Sequence, residues 1–281
     1  MSTPPSAATS ATIEFVRNSA AEFDLSVVVP AYNESARLPK TLDGLEAWSV
    51  RQPFSVEILV VDDGSRDATA AVAAGHPCGC GVIRLAHNGG KGAAVRTGML
   101  AACGRVIGFT DADLPYRLDA IERAYATIVS AAADVVYGGR DLATSTMAVR
   151  RTAARTLASS CFRGIAGLLV GGGVTDTQCG LKVYGREAAR QVFSRVHTDG
   201  FAFDAEAILV AHRLGLRAAR VPVVLVNEAG STVSLRRHAP KMLRDVVQAR
   251  LRHGRRAGPM TAVTPEHDVL RAATRTRRQA A

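Results

Sequence analysis

The stretch LSVVVPAYNES, from Leu25 to Ser35, joins a short apolar run to a polar turn. The run Leu25 to Pro30 predicts a strand that is buried on both faces and ends at the proline, with a helix beginning near Ser35. The same order of apolar run, polar turn and helix recurs at VEILVVDDGS, GVIRLA, RVIGFT and ADVVYGG. Strands that alternate with helices in this way predict an α/β domain with a Rossmann-like, mostly parallel sheet flanked by helices.

Polar residues follow each of these predicted strands. Ligands of parallel α/β sheets bind beyond the carboxyl ends of the strands, so the polar residues predict one site rather than scattered surface charge. They are Tyr32, Asn33 and Glu34, then Asp62 and Asp63, then His87 and Asn88, then Asp111 and Asp113, and finally Arg140 and Asp141.

The second half of the chain is richer in helix. We predict helices near residues 150–169, 186–192 and 205–214, and a last strand at AARVPVVLV. The resulting division is a flexible leader at 1–24, a catalytic domain at 25–234, a basic amphipathic helix at 235–256 and a basic disordered tail at 257–281.

Charge is distributed unevenly along the chain. Of the formal charge of +10, residues from Leu235 onward carry +9, from twelve Lys and Arg against three Asp and Glu, which leaves +1 for the rest. The tail lacks the interleaved aromatic residues of a nucleic-acid-binding surface, so no nucleic-acid partner is expected. A hydrophobic content of 47% excludes a wholly disordered chain.

Cysteine usage and hydropathy bear on the compartment. Five scattered cysteines form no disulfide framework and predict reduced thiols in a cytoplasm. The first residues lack an apolar core of signal-peptide length, and no run is long and apolar enough to span a membrane. We therefore expect a cytoplasmic protein whose contact with a membrane is peripheral.

Two aspartates one residue apart, Asp111 and Asp113 in FTDADLP, follow the fourth apolar run. Unpaired charge there is costly, so a cationic partner is expected: a lysine, a metal, or a metal that carries a substrate. The spacing allows both carboxylates to meet one Mg²⁺ or Mn²⁺. Alternatively, Asp113 caps a helix near Pro115 while Asp111 pairs with an arginine.

Two further turns are candidates for nucleotide contacts. In VVDDGSRDAT, a carboxylate of Asp62 or Asp63 could accept hydrogen bonds from a ribose or a base, although a plain turn with Asp67 as a helix cap is the simpler interpretation. The glycine-rich NGGKGAA resembles a phosphate-binding turn at a helix N-terminus, with Lys91 as a point charge.

Seven ordered motifs together resemble the family-two inverting glycosyltransferases, which have the GT-A fold. They are VVPAYNESARLPK, VVDDGSRDAT, NGGKGAAVRTGM, DADLP, GGR, DTQCGLKVY and GFAFDAE, and they span roughly residues 25–252. The likeness is greatest to the branch that glucosylates or mannosylates dolichyl or polyprenyl phosphate. One departure is Pro115, where several relatives have Gln, and it bears on metal ligation from that side.

The resemblance implies roles for residues on the donor side. Positions for the base and ribose are Pro30, Tyr32 and Glu34, with Asp62 or Asp63. Positions for the sugar nucleotide are Lys91, Asp111, Ala112 and Gln178. Asp113, with Asp111, is the implied ligand of Mg²⁺ or Mn²⁺.

The resemblance also implies an acceptor side. Gln178, Asp204 and Glu206 lie in motifs that face the transferred sugar and the acceptor. The lipid phosphate would be bound by Arg140, Arg151 and Arg155, since guanidinium groups bind phosphate through two nitrogens. The implied catalytic residues are Asp111, Asp113, Asp204 and Arg140.

The reaction implied is transfer of a hexose, glucose first and mannose second, from UDP-glucose or GDP-mannose to a polyprenyl phosphate with inversion. Two alternatives stay open: a soluble family-two enzyme with a small-molecule or peptide acceptor, and a nucleotide-sugar-binding or nucleic-acid-binding module without turnover. Asp204 is the candidate base if the acceptor is a hydroxyl, or else the N-cap of AEAILVAHRL. His87, His197 and His212 lack metal-ligand spacing and are interpreted as structural.

Within the predicted basic helix, the stretch PKMLRDVVQARLRHGRR starts with a helix-favouring proline, Pro240, and is predicted to be amphipathic. Its apolar side carries Met242, Leu243, Val246, Val247 and Leu251. Such a helix can rest on an anionic leaflet. The alternative is a helix packed on the catalytic domain, which Arg250 within the apolar stripe favours.

Overall fold

The computed structural model describes residues 22–140, 142, 146–147, 179–226, 235–254 and 262–263. The strands in these residues are β1 (Phe23–Ala31), β2 (Val56–Asp62), β3 (Gly81–Arg84), β4 (Gly104–Phe109), β5 (Val135–Gly139), β6 (Thr146–Met147), β7 (Lys182–Gly185), β8 (Ala218–Pro222), β9 (Val224–Leu225) and β10 (Ala262–Val263). The helices are α1 (Leu38–Ser49), α2 (Thr69–Ala74), α3 (Lys91–Ala101), α4 (Asp119–Val129), α5 (Arg186–Phe193), α6 (Phe203–Arg213) and α7 (Leu235–His253).

Eight of the described strands form one sheet in the order β10-β8-β5-β7-β4-β1-β2-β3, and β6 pairs with β9 in a second. In the large sheet β7 runs antiparallel to both of its neighbours, and the other pairs are parallel. The mostly parallel α/β sheet predicted from the sequence is confirmed. The sequence analysis did not predict β7, whose four residues are too few to show a periodicity.

Helices cover both faces of the large sheet, which explains why its strands are apolar on both sides. One core lies between the sheet and α3, α5, α6 and α7. The other lies between the sheet and α1, α2 and α4. The two layers of helices cover the faces of the sheet but not the ends of its strands.

Several element boundaries differ from the predictions. Helix α1 begins at Leu38 rather than near Ser35, because the backbone N–H of Ser35 donates to Asp67 and so belongs to the loop. Helix α2 begins at Thr69, whose backbone N–H donates to Asp67. The predicted last strand is divided between β8 and β9, which pair in different sheets.

Pro30 does not end its strand, since β1 continues to Ala31. Pairing of β1 with β4 ends at Val28, while pairing with β2 continues through Pro30 and Ala31. The proline therefore lies where β1 no longer needs an N–H for β4.

The C-terminal segment is more closely joined to the domain than predicted. Helix α7 buries Met242, Val246 and Ala249 in the same core as α6. Residues 262–263, predicted to be part of a disordered tail, form β10 and pair with β8. The leader at 1–21 and the predicted helix at 150–169 lie outside the described residues. Among the helices that the structure describes, none combines the length and apolar character needed to cross a membrane.

Candidate functional site

Asp111 and Asp113 follow β4, which lies next to β1 in the sheet. The partner of Asp111 is a lysine: Lys91 Nζ, from the first residue of α3, lies 2.5 Å from Asp111 Oδ1. Burial lowers the pKa of Lys91, but the charges of Asp111 and Asp204 outweigh it and the pKa is raised. Lys91 is therefore a protonated ammonium beside the aspartate turn.

Two further carboxyl groups at this turn and near it, those of Asp113 and Glu34, add negative charge. Burial raises the pKa of Asp113, and the nearby Asp111 charge raises it further. The pKa of Glu34, at the end of β1, is raised by burial and also by Asp113, against the opposing charge of Arg37. These carboxylates repel one another, and a cation bound among them would relieve that repulsion.

A second ion pair lies beneath the first. Lys182 Nζ, fully buried on β7, lies 2.8 Å from Asp204 Oδ1 and donates to the carbonyl of Cys179 at 2.8 Å. Burial raises the pKa of Asp204, while Lys182 and Lys91 lower it. Asp204 is not the N-cap of α6, which is Ala202. Its side chain is instead committed to a buried lysine.

We call Lys91, Asp111, Asp113, Lys182 and Asp204 the charged cluster. Three carboxylates and two ammonium groups give it a formal charge of −1. Sequence reasoning missed Lys182. The only available signal was a lysine within the apolar surroundings of GLKVY, which a buried acid partner would explain.

Gly180 explains the shape of the aspartate turn. A Cβ at this position would lie 2.4 Å from Asp111 Oδ2 and 3.0 Å from its carboxyl carbon. No side chain fits there without displacing the carboxylate. The glycine of DTQCGLKVY is therefore required by the close approach of Asp111.

Asp62 and Asp63 lie at the end of β2, and both are buried. Asp62 accepts from the backbone N–H of Ser65 and forms an ion pair with Arg84, whose Nε lies 3.4 Å from its Oδ2. Asp63 accepts from the N–H groups of Gly89 and Gly90 at 2.8 and 2.9 Å. Both carboxylates hold loops together, and a contact with ribose or base stays a prediction.

The glycine-rich turn is not the open phosphate-binding turn that the sequence suggested. The N–H groups of Gly89 and Gly90 donate to Asp63, and those of Gly92 and Ala93 donate to the carbonyl of Asp199. Four of the amides that would bind a phosphate are thus occupied by protein acceptors, which corrects that expectation. The side chain of Lys91 is what this turn presents to the site.

The remaining donor-side predictions lie near the same strand ends. Tyr32 is 39% exposed after β1, so its ring is available to a ligand, whereas Pro30 is buried. Ala112 is buried and its carbonyl accepts from the hydroxyl of Thr41 on α1. Gln178 lies outside the described residues.

On the acceptor side, Arg140 directly follows β5, two strands away from β4. Its charge acts on the buried phenol of Tyr116, whose pKa burial raises well above its ordinary value and Arg140 lowers. The charge of Asp111 raises the pKa of the same phenol, so Arg140 and the aspartate turn both act electrostatically on Tyr116. Arg151 and Arg155 lie outside the described residues.

The carboxylates of this site suit a divalent cation that is bound partly by the protein and partly by the phosphates of a substrate. In the described part of the chain, no group of three or more His, Cys, Asp or Glu side chains converges as a complete metal cage. Mg²⁺, however, is commonly bound by one or two carboxylates together with substrate phosphates. Asp111 and Asp113, with their mutual repulsion, are suited to that arrangement.

A mostly parallel sheet whose central strand ends in an Asp-Ala-Asp turn beside a lysine defines an α/β transferase of the GT-A type. Comparison with known families agrees: residues 26–193 match the family described as glycosyl transferase family 2, and the chain belongs to it.

Among curated proteins, the chain is similar to dolichyl-phosphate beta-glucosyltransferases from several organisms. The protein from Drosophila melanogaster is 37% identical over 226 residues, which are 75% of this chain and 69% of that protein. The protein from Homo sapiens is 34% identical over 244 residues, which are 82% of this chain and 75% of that protein.

The fold also occurs in solved structures of other proteins. Glucosyl-3-phosphoglycerate synthase from Mycobacterium tuberculosis, in complex with Mn²⁺, UDP and glucosyl-3-phosphoglycerate, has a TM-score of 0.61 and 20% identity over 82% of this chain and 80% of that one. Mannosyl-3-phosphoglycerate synthase from Rubrobacter xylanophilus has a TM-score of 0.59 and 22% identity over 82% and 73%.

Proposed function

We propose that the protein transfers glucose from a nucleotide sugar, UDP-glucose first, to dolichyl or a related polyprenyl phosphate, with inversion to a β-linked lipid-phosphate sugar. The observation that carries this proposal is the similarity to dolichyl-phosphate beta-glucosyltransferases over at least two thirds of their length. The charged cluster at the end of β4 supplies the chemistry that such a transfer needs.

In the proposed reaction, a phosphate oxygen of the acceptor forms a bond to the anomeric carbon of glucose. The bond from that carbon to the nucleotide diphosphate breaks, and the diphosphate leaves with the electron pair. A phosphomonoester has a second pKa of about 6 and is largely ionised at neutral pH, so no strong base is needed. This agrees with Asp204, whose carboxylate is buried against Lys182.

On the donor side, Asp111 and Asp113 are the residues that would hold Mg²⁺ or Mn²⁺. When bound, such an ion neutralises charge that builds on the leaving diphosphate. Lys91 adds a positive charge beside Asp111, and its side chain remains 22% exposed. Lys91 would orient a diphosphate oxygen directly.

On the acceptor side, Arg140 would bind the lipid phosphate together with Arg151 and Arg155. Arg140 follows β5, at the same edge of the sheet as the aspartate turn. A guanidinium group suits the phosphate because it donates two parallel hydrogen bonds.

We further propose that α7 touches the membrane that carries the acceptor, and that it does so with one side only. Leu243, Val247 and Leu251 are exposed at 38%, 39% and 76% and follow one another at helical spacing. The exposed Lys241 and Arg244 flank them and complement anionic lipid. Met242 and Val246, predicted to share this side, instead pack on the catalytic domain.

Release of UDP from UDP-glucose, measured with and without a short polyprenyl phosphate, tests the proposed function. We expect UDP release that depends on the lipid and a β-linked product, with GDP-mannose a poorer donor. Asp113→Asn serves as the inactive control. Transfer to a small soluble acceptor in preference to polyprenyl phosphate, or UDP release unaffected by the lipid, would contradict the proposal.

A further inference from the structure

Glu206, on α6 two residues after Asp204, has a side chain that is fully buried and surrounded by hydrogen-bond donors. Its Oε2 accepts from the backbone N–H groups of His197 and Thr198 at 3.0 and 2.6 Å. Its Oε1 accepts from Arg252 Nη1 and His253 Nε2, each at 2.8 Å. One carboxylate therefore joins the loop before α6 to the last turn of α7.

The loop that Glu206 holds is the one that closes the glycine-rich turn. Immediately after Thr198, the carbonyl of Asp199 accepts from the N–H groups of Gly92 and Ala93 at 2.7 and 3.3 Å. The fit is close, since a Cβ at Gly92 would lie 2.3 Å from the carbonyl oxygen of Thr198. The side chain of Asp199 also binds Arg96 of α3 at 2.7 Å.

The first residue of α3 is Lys91, the partner of Asp111. A continuous set of contacts thus runs from the last turn of α7, through Glu206 and the loop at 197–199, to the first turn of α3 and the charged cluster. Of these residues, only Lys91 and Asp111 belong to the proposed donor site.

We propose that Glu206 is a positioning residue: it uses the last turn of α7 to fix the loop at 197–199 on the first turn of α3, and so sets Lys91 against Asp111. Helix α7 then helps to hold the donor site in its geometry, although it is not itself part of the proposed donor site. The kinetic part of this inference rests on the proposed function, whereas the structural part does not.

Glu206→Gln is the sharpest variant, because every group that contacts the carboxylate is a donor. The amide NH₂ of glutamine must face either the two backbone N–H groups, which cannot accept, or Arg252 and His253. Of these two, only the ring nitrogen of His253 can accept, and then only in its other tautomer. Arg252→Ala is the milder variant, since it leaves three of the four donors in place. Glu187→Gln, on an exposed glutamate of α5, is the matched control.

Hydrogen–deuterium exchange of the full chain, read at the amides of residues 89–93, measures the coupling without any assay of activity. We expect Glu206→Gln to speed exchange there by about tenfold, which corresponds to roughly 1.4 kcal/mol, and Arg252→Ala to speed it less. Glu187→Gln should match the wild type. Faster exchange confined to α7, with residues 89–93 unchanged in a folded Arg252→Ala protein, would overturn the proposal.

Steady-state kinetics supplies the second measurement. If the proposed function holds, both variants should raise the KM for UDP-glucose, Glu206→Gln more than Arg252→Ala, with the KM for polyprenyl phosphate unchanged. Equal loss toward both substrates would overturn the donor-side role. Failure of the proposed function would remove the kinetic signal from the wild type as well, while the exchange result would still decide the inference.

Discussion

Lys91 and Lys182 each hold one carboxylate of the charged cluster, but at different depths. Lys91 retains 22% exposure and Lys182 none. An ammonium that reaches solvent can exchange its carboxylate for a ligand at little cost, whereas a fully buried one cannot. Lys91 is therefore suited to binding a substrate, and Lys182 to holding Asp204 in place.

Lys182→Met should destabilise the protein by about 3–5 kcal/mol, because it leaves the buried Asp204 without its lysine partner. Urea unfolding followed by circular dichroism measures this loss. The double variant Lys182→Met with Asp204→Leu should recover most of the stability, since no charge is then buried alone. A single variant as stable as the wild type would show that the pair is not a coupled ion pair.

Gly180→Ala should abolish or strongly reduce transfer, by at least about a hundredfold, because a 1 Å displacement of a reacting group can cost that much. The added Cβ displaces the Asp111 carboxylate, which lies 2.4 Å from its position. Gly185→Ala is the matched control, because its Cβ would meet its nearest neighbour at 3.7 Å. Comparable kcat/KM values for the two variants would refute the steric argument.

Asp113→Asn should abolish transfer without lowering the melting temperature. Burial and Asp111 both disfavour the charge of Asp113, so its removal relieves repulsion in the ligand-free protein. Activity assays with a titration of Mg²⁺ or Mn²⁺ and thermal unfolding without metal measure the two effects. Full activity of this variant, or of the wild type in excess chelator, would rule out a metal held by Asp113.

At the scale of the element, α7 presents two different sides. Met242, Val246 and Ala249 pack into the core, while Leu243, Val247 and Leu251 face outward. A deletion of α7 would open that core and so could not separate membrane binding from folding. Substitutions on the outward side avoid this problem.

Leu243→Glu combined with Leu251→Glu should reduce binding to anionic vesicles by at least about tenfold, with the melting temperature unchanged. Each substitution removes apolar contact and adds a charge that anionic lipid repels. Co-sedimentation with phosphatidylserine-containing vesicles measures binding. Val129→Glu, at the end of α4, is the control, because the 60% exposure of Val129 lies between the 38% of Leu243 and the 76% of Leu251. Vesicle binding that survives the double substitution would place the contact elsewhere.

The junction of α6 and α7 should weaken in acid. Burial raises the pKa of Glu206, but hydrogen bonds from Thr198, His253 and His197 outweigh it, so the pKa lies below its ordinary value of 4.5. The folded protein thus gains stability above pH 4.5 and loses it as the pH falls through the folded pKa. Denaturant unfolding of wild type and Glu206→Gln should differ at pH 7, and the difference should shrink below pH 4.5 and disappear only below the folded pKa. A pH-independent difference would contradict this.

At the scale of the whole molecule, the sequence predicted the mostly parallel sheet, its first five strands along the chain and the edge where the polar residues meet. It did so because buried parallel strands and their polar turns leave a local pattern. The pairing of Lys182 with Asp204, and of Asp63 with the glycine-rich turn, could not be predicted, since these contacts join distant segments. The division of α7 into two sides depends on its neighbours and is equally non-local.

The position of β7 also has a consequence for how the chain folds during its synthesis. Strands β4 and β5 follow one another in sequence, yet β7 lies between them and pairs with both. Until Lys182 to Gly185 have left the ribosome, the edge of β4 that pairs with β7 is unpaired. At that stage β5 has neither of its neighbours, β7 and β8. Such edges invite pairing with other chains, so β7 and β8, which are synthesised later, protect β4 and β5 from aggregation.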